Sequence, residues 1–213
     1  MSIDRFLDDL TCDLTPVRPR SGRRDLLVVA GVGAIELGLF LACGAARPDI
    51  AEAAGLPCFW WKVGGLAALA ATGAVTAIRS FDPSGAPRKG LGAIAWLTGL
   101  VLLTGWWIDA LGPHGASLPA RLMWPHGLRC IASMVLLSIP ALVTLGILMR
   151  RGAPTDRRGS ALAVGATSAA WGAFVFAFNC PHDDPLNVAV WYAAGCTAIA
   201  VAGRLILTRL TRW

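Results

Sequence analysis

Two cysteines, Cys130 and Cys180, stand at corresponding ends of two long apolar segments joined by a short basic loop. The segments cover residues 129–149 and 161–179, and the loop covers 150–158. Each segment has about 20 residues, enough for about 30 Å of helix, which crosses the hydrocarbon core of a bilayer. Because a helical hairpin returns the chain to the side from which it came, the two thiols are predicted to lie at the same membrane face. Paired thiols tied to a loop on the other side have the layout of a sensor.

The chemistry open to these thiols is disulfide formation or metal binding. Disulfides persist in oxidising compartments such as the periplasm, and thiols with imidazoles suit soft and borderline metal ions. The chain has no C-x-x-C motif, so the residues alone leave both alternatives open. His126, His182 and Asp183 are accessory candidates, since thiol, imidazole and carboxylate crowd the turn after Cys180. No cofactor is expected to be required, and a heavy-metal ion would act as a signal.

Composition indicates an integral membrane protein that must position these residues between helices. Of the 213 residues, 55% are hydrophobic and only 15% are charged, against roughly 25% charged in soluble domains. We therefore predict an all-α, polytopic six-transmembrane-helix bundle, preceded by an N-terminal segment at 1–24 and followed by a tail at 208–213. The predicted spans are residues 25–43, 59–79, 91–110, 129–149, 161–179 and 188–207.

The charge distribution predicts the orientation. With the N-terminus inside, 15 of the 19 Lys and Arg residues fall on the cytoplasmic side, as the positive-inside rule requires. The four exceptions are Arg47, Lys62, Arg121 and Arg129. Both termini are therefore expected to be cytoplasmic, in a bacterial inner membrane, with Cys130 and Cys180 at the periplasmic face.

The first 14 residues predict a short acidic amphipathic helix. Apolar side chains recur on one helical face, while four aspartates and one arginine give a local charge of −3. A helix made for an anionic lipid surface carries Lys and Arg, so this one is expected to fold into the groove of a protein partner. The candidate binding residues are Phe6, Leu7, Asp8, Asp9 and Leu10.

Two residues inside the predicted spans could carry special roles. Pro140 lies between Cys130 and the basic loop, and because proline removes a backbone hydrogen bond it can bend the helix; it is a candidate hinge. Glu36 lies near the middle of the first span, where an ionisable residue is a functional hypothesis by default. A protonated Glu36, hydrogen-bonded between helices, is as reasonable as any ion-coupling role.

Several of these features together resemble the NrsF family, the negative regulators of sigma F. The resemblance rests on Cys130 with Pro140 ten residues later, Arg150-Arg151-Gly152-Ala153-Pro154-Thr155, Asn179-Cys180-Pro181, Trp191-Tyr192 and the terminal Arg-Trp. It implies a six-span anti-sigma factor of the bacterial inner membrane that sequesters an extracytoplasmic-function sigma factor and does not itself bind nucleic acid. It also implies release of the sigma factor under heavy-metal or oxidative stress, with Cys130 and Cys180 as the two cysteines shared by the family.

Two other functions remain as alternatives. A small membrane transporter would need ionisable residues along a path through the midplane, and only Glu36 qualifies. A membrane thiol oxidoreductase would need a reactive dithiol and a quinone site. The sequence shows neither a nucleophile–base arrangement nor a phosphate-binding loop, so an enzyme is not expected.

Overall fold

The computed structural model describes residues 20–112, 117–122 and 124–211, and within these ranges every regular element is a helix. Eight helices follow one another along the chain: α1 Gly22–Ala42, α2 Ile50–Ala53, α3 Pro57–Ser80, α4 Arg88–Leu111, α5 Leu118–Leu122, α6 Trp124–Arg151, α7 Arg157–Ala177 and α8 Pro185–Leu210.

Six of these helices, α1, α3, α4, α6, α7 and α8, are long and apolar enough to cross a membrane. The prediction of an all-α fold with six such helices is confirmed, and the chain fits a multi-pass membrane protein. The fourth long helix, α6, begins at Trp124, five residues before the start of the predicted span. The cytoplasmic position of the termini stays a prediction.

Local chemistry sets several helix ends. Pro57 and Pro185 stand in the first turns of α3 and α8, where a missing N–H costs no hydrogen bond. The side chain of Asp156 caps α7 by accepting a hydrogen bond from the backbone N–H of Gly159 at 2.9 Å. Asp184 caps α8 in the same way through Leu186 N–H, at 3.3 Å. These ends keep the turn between α6 and α7, and the loop between α7 and α8, short.

Helix α7 is the centre of the bundle and is the most buried of the six. It packs against α3, α6 and α8, and glycines permit the close approach to two of these neighbours. A Cβ added to Gly165 would lie 2.6 Å from the carbonyl oxygen of Ala200 in α8, and one added to Gly172 would lie 2.6 Å from that of Met134 in α6. Helices α1 and α4 lie at the periphery and present apolar side chains outward.

The bundle has two chemically different ends. The thiol end carries the 178–184 loop, next to a buried cluster that contains both Cys130 and Cys180. The arginine end carries the turn between α6 and α7, above a second cluster that includes Phe81 and Met149. Exposed cations surround the arginine end: Arg79, Arg88, Lys89, Arg150, Arg151, Arg157, Arg158, Arg204 and Arg209.

Candidate functional site

The two candidate sensor cysteines meet at the thiol end. Cys130 lies in the second turn of α6, and Cys180 lies in the loop that follows α7. Both are buried, with 6% and 1% of their surfaces exposed, and both are free thiols. Both belong to one buried cluster, and they are close enough for Cys130 to affect the pKa of Cys180. The hairpin thus places a dithiol at one end of the bundle, 50 residues apart in the chain.

The environment favours the thiolate of Cys180. The interaction with Cys130 is the main cause that lowers the pKa of Cys180 below its usual value, and the nearby ammonium of Lys62 adds to it against the opposing effect of burial. Thiolate is the nucleophilic form of cysteine. Lys62, which donates to the backbone carbonyl of Cys180, therefore makes this end of the bundle favourable for a thiolate.

Two polar atoms beside the dithiol are buried and have no hydrogen-bond partner among the described residues. They are Nε2 of His182 and the hydroxyl of Tyr192. The Tyr192 hydroxyl lies next to Cys180, and the ring of His182 meets the ring of His126 edge-on, with centroids 5.5 Å apart. The accessory candidates His126 and His182 are therefore near neighbours at the thiol end.

The loop that carries Cys180 is held by a lysine from inside a long helix. Lys62 lies in α3, and its side chain is fully buried, with 0% exposed. Its Nζ donates to Asp183 Oδ1 at 2.5 Å and to the carbonyl oxygens of Cys180 at 3.3 Å and His182 at 3.4 Å. Because a buried charge is tolerated only when it is paired and hydrogen-bonded, these three acceptors explain why Lys62 can lie there.

Arg47, from the connection between α1 and α2, holds the same loop from the other side. Its guanidinium donates to Asp183 Oδ2 at 2.6 Å, to the Cys180 carbonyl at 3.3 Å and to Asp49 at 2.7 Å. The pair with Arg47 lowers the pKa of Asp49 to about 2. Both carboxylate oxygens of Asp183 are therefore engaged by cations, which leaves this accessory candidate committed to holding the loop.

A third cation completes this arrangement. Arg121 in α5 pairs with Asp184, at 2.5 Å, and also with Asp109 at the end of α4. We call Arg47, Lys62 and Arg121 the cation cage of the 178–184 loop. From the sequence, these three residues are only exceptions to the charge bias. The signal that could have identified the cage is Lys62, because a charged residue inside a predicted span needs a partner.

No group of three or more His, Cys, Asp or Glu side chains in residues 20–112, 117–122 and 124–211 is arranged to hold a metal ion. The part of the chain that the structure describes therefore contains a dithiol at this end, with no preformed metal centre. Cys196, one turn of α8 beyond Tyr192, is half-buried and packs against the cluster that contains Cys130 and Cys180, whereas Cys43 is exposed.

The remaining sequence candidates have different outcomes. Pro140 lies inside α6, which continues through it from Trp124 to Arg151, and its role as a hinge stays a prediction. Glu36 accepts a hydrogen bond from the indole N–H of Trp171 at 2.8 Å, so it lies between helices as expected. The candidate binding residues Phe6, Leu7, Asp8, Asp9 and Leu10 lie outside the described residues.

Comparison with known proteins identifies the family. The sequence model of NrsF, negative regulator of sigma F, matches residues 10–213. "Anti-sigma-F factor NrsF" of Caulobacter vibrioides is 30% identical over 220 residues, covering 100% of both chains. "Probable anti-sigma-F factor NrsF" of Azospira oryzae is 29% identical over 205 residues, covering 92% of this chain and 91% of that protein. No solved structure matches. The chain belongs to the NrsF family, the negative regulators of sigma F, and is an anti-sigma factor.

Proposed function

We propose that this anti-sigma factor holds an extracytoplasmic-function sigma factor at the bacterial inner membrane and releases it when Cys130 and Cys180 form a disulfide. The observation that carries the proposal is the dithiol itself. Two buried cysteines, brought together by one helical hairpin, lie in the same cluster at one end of the bundle. The opposite end bears exposed cations, which favours the cytoplasmic side for that end and the periplasm for the thiols.

The reaction at the thiol end is a two-electron oxidation. The Cys180 thiolate and the Cys130 thiol together lose two electrons and one proton to an oxidant, and one sulfur–sulfur bond forms. A disulfide needs its Cα atoms within roughly 7 Å, so the bond fixes the start of α6 against the end of α7. Packed helices have discrete arrangements, so such a constraint can select between a holding state and a releasing state.

Oxidants are the signal that the geometry favours over metal ions. Zinc is usually bound by four ligands, and the described residues contain no group of three His, Cys, Asp or Glu side chains placed to hold a metal ion. The carboxylate of Asp183, which could have supplied a third ligand, is occupied by Lys62 and Arg47. A test of the proposal should therefore apply cadmium, chromate and diamide separately. Diamide is the oxidant expected to act directly on the dithiol.

The sigma-binding element in this proposal is the acidic N-terminal segment. Its apolar residues Phe6, Leu7 and Leu10 would enter a groove of the sigma factor, while Asp8 and Asp9 would meet basic residues there. The membrane bundle holds this segment at the cytoplasmic face and contacts the bilayer. Nucleic acid need not be touched, because a sequestered sigma factor cannot reach its polymerase or promoter.

A membrane thiol oxidoreductase is the alternative that a dithiol would also suit. Turnover by an oxidoreductase requires access of substrate to the reactive sulfur, and Cys180 is only 1% exposed. Burial of both thiols favours a switch that is set occasionally over an enzyme that turns over. Quinone reduction by the purified protein would favour the enzyme instead.

A sigma-dependent reporter tests the proposal. Cells carrying the wild-type chain, Cys130→Ser, Cys180→Ser or Cys196→Ser are compared with and without diamide, cadmium or chromate. Cys130→Ser and Cys180→Ser are expected to remove induction by diamide while inserting normally, and Cys196→Ser is expected to respond like wild type. Normal induction of the Cys130→Ser/Cys180→Ser double variant would overturn the sensor assignment and leave the anti-sigma function intact.

A further inference from the structure

The described part of the chain begins with a polar contact at the arginine end of the bundle. Arg20 is the first residue that the structure describes, and α1 begins two residues later. Its Nε donates to Asp25 at 2.7 Å, its Nη1 donates to the carbonyl oxygen of Phe81 at 3.4 Å, and its Cζ lies 4.9 Å from the centre of the Phe81 ring. Arg20 therefore fixes the start of the described chain against the end of α3.

Phe81 also holds the turn between α6 and α7. It follows the last residue of α3 and is fully buried, and its carbonyl oxygen accepts a second hydrogen bond from the backbone N–H of Ala153 at 3.1 Å. Nearby, the Ser160 hydroxyl at the start of α7 donates to the carbonyl of Ser80 at 3.3 Å. The Phe81 carbonyl thus links Arg20, just before α1, to Ala153 in the turn between α6 and α7.

Gly152 makes this three-way contact sterically feasible. A Cβ at Gly152 would lie 2.3 Å from Arg20 Nη1, 2.8 Å from the Phe81 carbonyl oxygen and 2.9 Å from Phe81 Cβ. The arginine tip could move aside, but the carbonyl and Cβ of a fully buried residue cannot move without disturbing the end of α3. A side chain at 152 would therefore force Arg20 and Phe81 to shift, and the close fit makes the turn sensitive to small shifts of α6 and α7.

We infer that Arg20, Phe81 and Gly152 form a junction that positions the sigma-binding segment according to the state of the dithiol. The inference rests on the proposed function, and it names the residues that carry the signal at the arginine end. Helix α6 leads from Cys130 to the turn that contains Gly152 and Ala153. Helix α7 leads from that turn to the loop that contains Cys180. A shift of either helix changes the packing on Phe81. Because the Phe81 carbonyl accepts hydrogen bonds from both Ala153 and Arg20, the shift also changes the position of Arg20.

Arg20→Met is the variant that tests the junction with the least risk to the fold, since the Arg20 side chain is 27% exposed. It removes the ion pair with Asp25, the bond to Phe81 and the cation–π contact, while every candidate sigma-binding residue remains. Arg20→Lys is its conservative counterpart, because an ammonium can still pair with Asp25 and lie over the ring. Gly152→Ala disturbs the same junction from the hairpin side, and Gly92→Ala is its control, because nothing lies within 4 Å of a Cβ at Gly92.

The experiment measures disulfide formation and sigma-dependent transcription in the same diamide-treated cells. Arg20→Met and Gly152→Ala are expected to reach the membrane and form the Cys130–Cys180 disulfide as wild type does, yet give the same reporter level with and without diamide. Arg20→Lys and Gly92→Ala are expected to keep induction. Wild-type induction in Arg20→Met and Gly152→Ala would overturn the junction. Absence of induction or disulfide in the wild-type chain would instead overturn the proposed function, together with the inference that rests on it.

Discussion

Replacement of Lys62 by methionine should release the Cys180 loop without unfolding the bundle. Methionine keeps an unbranched side chain in the same space but removes the ammonium that donates to Asp183, Cys180 and His182. The change leaves Asp183 with Arg47 as its remaining cation, and Cys180 keeps its carbonyl bond from Arg47. The perturbation is therefore confined to one wall of the cation cage.

The contacts set the size of the expected effect. Breaking a buried ion pair by removing one partner costs about 3–5 kcal/mol, and the remaining pair with Arg47 argues for the lower end of that range. At about 1.4 kcal/mol per factor of ten, a loss of about 3 kcal/mol raises the equilibrium constant for opening the loop roughly 100-fold. The cost falls on local opening, because the three acceptors of the Lys62 ammonium all lie in the loop after α7.

The assay is the rate at which a maleimide modifies Cys180 in detergent-solubilised protein, read at each cysteine by mass spectrometry. Cys180 is buried when the loop is closed, so modification proceeds from the open loop and its rate follows the opening constant when reclosing is fast. The thiolate fraction of the open, solvated loop is the same in both proteins, so changes of pKa in the closed state do not enter. Lys62→Met should raise the rate at Cys180 roughly 100-fold relative to wild type.

Two controls make this result specific. The rate at Cys196, which lies within α8 and not in the 178–184 loop, should not change. Arg129→Met removes an exposed cation beside Cys130 and should leave the rate at Cys180 near the wild-type value. A wild-type rate at Cys180 in Lys62→Met would refute the role of the cage, and an equal increase at Cys180 and Cys196 would show general loosening instead of loop opening.

Three further predictions concern binding, orientation and packing. Leu7→Asp places a charge in the apolar face of the N-terminal segment and should free the sigma factor without displacing the protein from the membrane; a reporter that stays repressed would place binding elsewhere, such as the basic loops. Fusions after Arg157 and after Pro185 should report cytoplasmic and periplasmic positions respectively, and alkaline phosphatase activity at Arg157 would contradict the orientation. Gly172→Ala should lower the thermal midpoint in detergent, at a cost of about 1–3 kcal/mol, because the new Cβ would lie 2.6 Å from the Met134 carbonyl oxygen. Gly99→Ala, with nothing within 4 Å, should not lower it, and equal midpoints for the two variants would show that α6 and α7 can separate to accept the methyl group.

The fold could be predicted from the sequence because membrane helices are recognisable from the length and hydropathy of their apolar segments. Each span is a long apolar run, and helices satisfy their own backbone hydrogen bonds in lipid, so six runs give six helices. The placement of both thiols at the same end followed from the number of crossings alone, because the chain crosses the bundle twice between them. A hairpin returns the chain to its starting side, whatever the packing, and Cys130 and Cys180 lie in one cluster at the thiol end.

The cation cage could not be predicted in the same way, because its contacts join residues far apart in the chain. Lys62 and Asp183 are separated by 121 positions, and no periodicity or motif links them. Hydropathy locates Lys62 at the start of a span but does not give it a partner. The charge count of the thiol end contained a clue, since each cation there stands out against the positive-inside rule, and the aspartates of the 178–184 loop are the natural partners.

Tyr192 and Gly152 show a second limit of the sequence. Tyr192 occurs in an aromatic pair typical of a membrane interface, yet the structure buries it beside Cys180, because the rotation of α8 about its axis depends on packing against α7. Gly152 occurs in a basic turn where glycine is common, and its steric importance comes from Phe81, which lies 71 positions earlier in the chain. Both roles depend on tertiary contacts that local patterns do not encode.

Release of sigma factor from a purified complex tests the central claim most directly. The chain is solubilised with its bound sigma factor and titrated with diamide, and each sample is divided between mass spectrometry of the Cys130–Cys180 disulfide and a measurement of the sigma factor retained. The account predicts that sigma factor leaves in proportion to the disulfide formed and that Cys196 remains a free thiol throughout. Full conversion of Cys130 and Cys180 to the disulfide with the sigma factor still bound would contradict it.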